Sequence, residues 1–257
     1  MRRIFRALTP GLVLVAGLVW PATGPEFEAV SVKPNVSGER RQSQRTDGRT
    51  FRATNVPARN LLRQAYGLMF EDYRLVGAPD WVAVERFDVV ATLPEQAPHS
   101  QVPAMLRAML ADRFRLLTHA ETREAPAYAL VLARKDGRLG PQLRHAEEDC
   151  GASPAVKPTP DDGHPCELQI GGEIRGRGQR MDQLAKTLLQ FVGRSIVDRT
   201  GLTGGFDFDI QASGIAGGDD LPSIYTAIQE QLGLKLEPIR APVEFVVVDH
   251  IDHPEPN

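Results

Sequence analysis

The sequence predicts an α+β fold of two tandem, similar β-α-β-β-α-β-β units, with helices packed on small mixed sheets. Three observations carry that expectation. The order strand, helix, strand, strand, helix, strand, strand reads once before about residue 135 and again from about residue 171 to the end. Four helical stripes each show one apolar face, so each needs a sheet to lie on. Between them run segments whose apolar residues recur with period two. The expected organisation is a leader at 1–24, a first unit at 25–140, a disulfide-closed linker loop at 141–170 and a second unit at 171–257.

The leader comes first in the chain and fixes the compartment. Arg2, Arg3 and Arg6 precede the apolar stretch from Leu12 to Trp20, and PATG follows. A charged start, a short apolar run and small residues near Ala22 to Gly24 describe a secretory signal peptide, with an uncleaved N-terminal anchor as the alternative. No later apolar run is long enough to cross a bilayer. The mature protein is therefore expected to be periplasmic or secreted and to have no membrane span after leader removal.

In the first unit FEAVSV adds a short strand, and the basic segment with Arg40, Arg41, Arg45 and Arg49 reads as a solvated, mobile loop. Asn55 and Pro57 mark a helix start, after which Leu61, Leu62, Ala65 and Tyr66 share one face. Phe87, Val89 and Ala91 alternate with Asp88 and Val90 as a strand. Ser100 can cap a second helix with the stripe Val102, Met105, Leu106, Met109 and Leu110. The unit closes on a strand opened by Ala125-Pro126, where proline needs no ladder donor.

The second unit repeats this order. Met181, Leu184, Leu188, Leu189 and Val192 form its first helical stripe, and Phe206, Phe208 and Ile210 alternate with Asp207 and Asp209. Asp220 caps a helix expected to bury Leu221, Ile224, Tyr225, Ile228 and Leu232, and Ala241-Pro242 opens the last strand. Arg63, Arg107, Asp112, Lys186 and Glu230 are expected to face water.

Composition narrows the class of function. At 42% hydrophobic and 25% charged, the 257 residues suffice for one large core or two small ones. Loss of the three leader arginines takes the formal charge from −3 to −6. A mildly acidic exported chain without a basic-aromatic motif excludes nucleic acid as a partner.

The two cysteines, Cys150 and Cys166, bracket CGASPAVKPTPDDGHPC, a Pro- and Gly-rich loop. In an oxidising compartment this pair forms a disulfide. A metal site from Asp161, Asp162, His164 and Cys166 is the alternative, but its spacing matches no standard zinc pattern.

The candidate catalytic groups are Asp198, Asp207, Asp209, Asp249, His250, Asp252 and His253. DHIDHPEP offers two histidines three apart, a spacing suited to a helix, yet the stretch follows a strand and contains prolines. It reads as an exposed, loosely held chain end. Asp198-Arg199 reads as a turn, with Gly201 and Gly204 free to take positive φ. His119 reads as a partly covered strand residue, sharing a face with Leu117 opposite Thr118. Trp81 either plugs the gap between helix and sheet or recognises a ligand. Nucleophile elbows, phosphate loops and HExxH motifs are absent from the sequence. No catalytic residue, metal or cofactor is expected.

Two resemblances add to this reading. FRATNVPARNLLRQAYGL through MLRAMLADRFRLLTHAETREAPAYALVLA resembles the short N-terminal domain shared by secretins and TonB-dependent signalling receptors; the leucine-rich phrase is MLADRFRLL in the first unit and IQEQLGLKL in the second. FEAVSVKPN, LVGAPDWV, RFDVVA, MLADRFRL, VDRTGLTGGFDF and APVEFVVVDHIDHPEPN are similar to an exported family of soil-dwelling bacteria, a domain of unknown function also found behind membrane sensor peptidases of the beta-lactam-response type. The second resemblance implies a periplasmic, protein-contacting role. The expectation is a non-catalytic envelope protein, a protein-interaction or ligand-sensing module with exposed sheet edges and an envelope protein as partner. The alternative is a periplasmic hydrolase or carbohydrate-binding protein.

Overall fold

The structure is a computed structural model that describes residues 24–151, 166–215 and 221–254, with Leu18 and Val19. The remaining positions of the expected leader, with Asp161, Asp162, His164 and Asp220, lie outside the described residues. In chain order the elements are β1 (Leu18–Val19), β2 (Ala29–Pro34), β3 (Ser43–Asp47), β4 (Thr50–Pro57), α1 (Ala58–Ala65), β5 (Leu75–Val76), α2 (Trp81–Val84), β6 (Arg86–Thr92), α3 (Val102–Arg113) and β7 (Leu117–Leu132). They continue as β8 (Leu143–His145), β9 (Glu167–Gly171), β10 (Glu173–Gln179), α4 (Met181–Val192), β11 (Ile196–Asp198), β12 (Phe206–Ile210), α5 (Ile224–Ala227) and β13 (Leu234–His250). The fold is α+β. Among the described residues no helix is long and apolar enough to cross a membrane.

Contacts divide the chain into two compact units. The first holds residues up to Gly67, Arg74–Glu121 and Phe245 onward; the second holds Leu68–Tyr73 and Thr122–Glu244. This division falls elsewhere than the expected segments 25–140 and 171–257, because β7 and β13 each start in one unit and end in the other. The expected linker 141–170 also contains β8, which pairs with β12 and buries Leu143.

The first unit contains an antiparallel sheet in the order β2, β6, β4, β3. Its inward side chains, Phe51, Phe87 and Val89, are buried as period two requires. Against them lies α3, whose buried stripe is Val102, Met105, Leu106, Met109 and Leu110; each such side chain contributes about 1.5–3 kcal/mol when fully removed from water. Leu61, Leu62 and Ala65 of α1 complete the core, and Phe114 packs edge-on to Phe87 at 5.4 Å. In the same unit β5 lies parallel to β13, with Leu75 opposite Val246, and β1 lies antiparallel to β7.

The second unit contains an antiparallel sheet in the order β8, β12, β10, β9. Phe206, Phe208 and Ile210 face a core shared with Met181, Leu184 and Leu188 of α4 and with Ile224, Ile228 and Leu232. Here β11 lies parallel to β7, with Ile196 opposite Tyr128. The strand order matches that of the first sheet position for position. Each sheet also carries one register irregularity, between Ala53 and Val56 and between Gly176 and Gln179.

Several expected details differ. Ser100 does not cap a helix: α3 follows Gln101 without a side-chain cap bond. The last helix is capped by Ser223, which accepts from the Thr226 amide at 3.3 Å. Ile224, Ala227 and Ile228 line its buried side, one helical face that leaves Tyr225 exposed and edge-on to Tyr128. Arg107 is not turned to water; its Nη1 donates to the Ala65 carbonyl at 2.6 Å and so satisfies the end of α1. Part of the basic segment is β3, an edge strand built from Ser43–Asp47. Ala125-Pro126 and Ala241-Pro242 lie inside β7 and β13 rather than opening them. Both prolines are exposed, positions where a missing ladder donor is tolerated.

Candidate functional site

The site grows out of the irregularity in β4. Asn55, only 1% exposed, takes a left-handed backbone, φ +57°, which Asn tolerates better than most residues. All its donors are used. Its backbone N–H donates to Asp88 Oδ1 at 2.8 Å, and its Nδ2 donates to the carbonyls of Glu39 at 2.7 Å and Arg41 at 2.9 Å. Its own carbonyl accepts from Arg86 Nη1 at 3.0 Å.

The chain leaving β2 is fixed by the same group of residues. The Asn35 amide donates to the Arg86 carbonyl at 2.8 Å, and Asn35 Nδ2 donates to Asp88 at 2.8 Å. Asn35 Oδ1 then accepts from the amide and hydroxyl of Ser37 at 3.0 and 2.6 Å, an Asx turn that orders the loop locally. Between this loop and the end of α2 lies an open cleft of about 550 Å³. Val36 and Val84 are 93% and 67% exposed and stand among its lining residues. Glu39, Glu85 and Arg86 supply its charge. The Glu85 carboxylate pairs with His253 Nε2 at 3.0 Å, and the His253 ring stacks on Trp81 at 4.1 Å. Trp81 is half-buried.

The second unit has the corresponding corner. Gly178, φ +64°, donates its amide to Asp207 Oδ1 at 3.0 Å. Its carbonyl accepts from the Cys150 amide at 3.0 Å. The Glu148 carbonyl lies so close to Gly205 that a Cβ there would come within 2.1 Å of it. Cys150 is disulfide-bonded to Cys166, with Cα atoms 5.6 Å apart. This corner is filled by its own chain.

The other acids and imidazoles suggested by the sequence are dispersed. Asp198 accepts from the amide and hydroxyl of Thr200 at 2.9 and 2.8 Å, and Gly201 and Gly204 take positive φ. Asp209 binds Arg177 through both oxygens at 2.9 and 3.1 Å and Arg175 at 3.2 Å. The Glu173 carboxylate, followed by the Asp209 hydrogen bond, raises the Arg175 pKa above its ordinary value. His119 pairs with Asp249 at 2.9 Å, and His250 with Asp252 at 3.0 Å. Thr118, not Leu117, is the buried neighbour of His119. The segment after β13 is held down: Ile251 is buried and the Asp252 amide donates to the Phe114 carbonyl at 2.7 Å. Among the described residues no group of three or more His, Cys, Asp and Glu could hold a metal ion.

One hydroxyl network remains. Ser195 Oγ donates to the buried Glu71, and Tyr73 O–H donates to the same carboxylate at 3.2 Å. The Ser195 amide donates to the Tyr73 hydroxyl at 3.1 Å. This arrangement clasps Leu68–Tyr73 to Ser195.

Sequence reasoning missed Asn35, Asn55, Arg86 and the role of Asp88. The available signal was the Phe-Asp pair in the two segments RFDVV and GFDFD.

The family model described as Protein of unknown function (DUF3738) matches residues 59–251. The chain belongs to the DUF3738 family. No curated protein and no solved structure matches it.

Proposed function

We propose that this protein is an exported, non-catalytic module that binds a protein or small ligand at the cell envelope, and that its halves are two copies of one unit. The observation that carries the binding role is the cleft of the first unit. Its loop is pinned by side-chain hydrogen bonds before any ligand arrives, yet Val36 and Val84 are left to solvent. Exposed apolar side chains on a preorganised frame favour recognition, since little ordering remains to oppose binding. The unpaired outer edge of β9, with Ile170 46% exposed, offers a second means of pairing among the described residues. The matched sheet orders support duplication, and the disulfide supports an oxidising compartment.

The test is a photoreactive amino acid at position 36, with position 186 as control, in cells that export the protein. A defined adduct from position 36 alone is expected. Absence of any adduct there, together with turnover of a small substrate by the purified chain, would reverse the reading toward an enzyme.

A further inference from the structure

We infer that the cleft of the first unit takes an extended peptide segment, with a basic side chain at Glu39 and an apolar one against Val36 and Val84. The inference rests on the binding role proposed above and names the class of ligand. Its starting point is the difference between two otherwise matching corners. In the second unit, main chain from Glu148 to Cys150 lies in the corner: the Glu148 carbonyl sits over Gly205 and the Cys150 amide satisfies the Gly178 carbonyl. The protein itself therefore fills this corner with peptide backbone.

In the first unit Arg86 stands at the position of Gly205, as the shared hydrogen bonds show. The Arg86 carbonyl accepts from the Asn35 amide at 2.8 Å, and the Gly205 carbonyl from the Ala146 amide at 2.9 Å. A side chain there prevents the loop from lying down as Glu148 does, so the loop stands away and the cleft stays open. Arg86 uses Nη1 to satisfy the Asn55 carbonyl, the task the Cys150 amide performs in the other corner. Guanidinium carries five N–H donors. Those that remain on Arg86 have no partner among the described residues and suit the carbonyl oxygens of an incoming peptide.

Charge selects among peptides. Two carboxylates, Glu39 and Glu85, and one guanidinium line the cleft. Glu85 is engaged by His253, whereas the Glu39 carboxylate is exposed and has no partner among the described residues. A cationic side chain meets that carboxylate, while an acidic one is repelled. The valines contribute to a peptide with apolar neighbours on either side of the cation.

The experiment uses the full mature chain and three labelled pentapeptides, Ala-Val-X-Val-Ala, blocked at both ends, with X lysine, alanine or glutamate. Fluorescence anisotropy should give saturable binding of the lysine peptide, at least about tenfold tighter than the glutamate peptide. Val36→Ser should weaken all three peptides, and Glu39→Gln should abolish the lysine preference while leaving the alanine peptide's affinity in place. Both positions are exposed, so circular dichroism of each variant should match the parent. Equal affinity for lysine and glutamate peptides, no binding of any, or unchanged binding by both variants overturns the inference. If position 36 nevertheless yields a defined adduct in cells, only the ligand class falls; if it does not, the binding role falls with it.

Discussion

The backbone N–H of Asn55 donates to the carboxylate of Asp88 across 2.8 Å, at a point where β4 has slipped one residue against its neighbour. The carboxylate gives the displaced amide the partner that the ladder no longer supplies. Asp207 does the same for Gly178. Both corners then turn directly into a helix, α1 or α4.

Replacing Asp88 with alanine leaves the amide of Asn55 and the side-chain amide of Asn35 without their acceptor. Each such buried donor costs about 1–3 kcal/mol, so Asp88→Ala should destabilise the protein by about 2–3 kcal/mol in urea unfolding. Asp207→Ala should be costly too. A change below about 0.5 kcal/mol in both would remove the corner from the account of stability.

Reduction of the Cys150–Cys166 bond, which joins residues 16 apart, should lower stability by about 3 kcal/mol on the chain-entropy model. Cys150→Ser/Cys166→Ser should match the reduced protein. Equilibrium unfolding with and without reductant provides the comparison.

Gly176 has no room for a side chain, because a Cβ there would lie 2.3 Å from the Phe208 ring. Gly176→Ala should therefore destabilise by about 1–3 kcal/mol through overpacking. Gly171, in the adjacent strand, has nothing within 4 Å of the same atom. Gly171→Ala should stay within about 0.5 kcal/mol of the parent, and thermal unfolding of the two variants side by side gives the contrast.

Tyr66 and Tyr225 both titrate above the ordinary tyrosine value, and burial is the first cause for Tyr66. Burial raises its pKa above 10.0, against the opposing effects of the Thr118 hydrogen bond and the Arg107 charge. The folded state then holds the phenolic proton longer than the unfolded chain does. Its contribution is complete below pH 10 and is lost as pH rises through the folded value. Tyr66→Phe should cost about 1 kcal/mol near neutrality, where Thr118 loses its partner, and should flatten the decline above pH 10. Ultraviolet titration of the parent should show Tyr66 and Tyr225 ionising late, and Tyr66→Phe should remove one of the two.

The sequence was legible where burial imposes strict periodicity. Phe87, Val89 and Ala91, Phe206, Phe208 and Ile210, and the whole stripe of α3 are buried as their spacing requires. Features set by distant partners were not legible. The meaning of Asn55 depends on Asp88, 33 positions later, so a cap-like Asn before Pro57 resembled a helix start. β3 has no apolar residue to reveal it because it is an edge strand, and β8 is three residues long. Arg86 and Gly205 stand at one matched position, which only the paired sheets make comparable. By contrast, the Cys150–Cys166 pairing followed from two cysteines and the chemistry of the compartment that the sequence led one to expect.

The shared allocation of β7 and β13 governs how the polypeptide is born. Residues from Phe245 onward belong to the first unit, where Val246 and Val247 lie beside Leu75 and Val76. At ordinary synthesis rates of about 5–20 residues per second, the opening half of the chain waits several seconds for its last strand. Until the carboxyl end emerges, Leu75 and Val76 stay without their parallel neighbour.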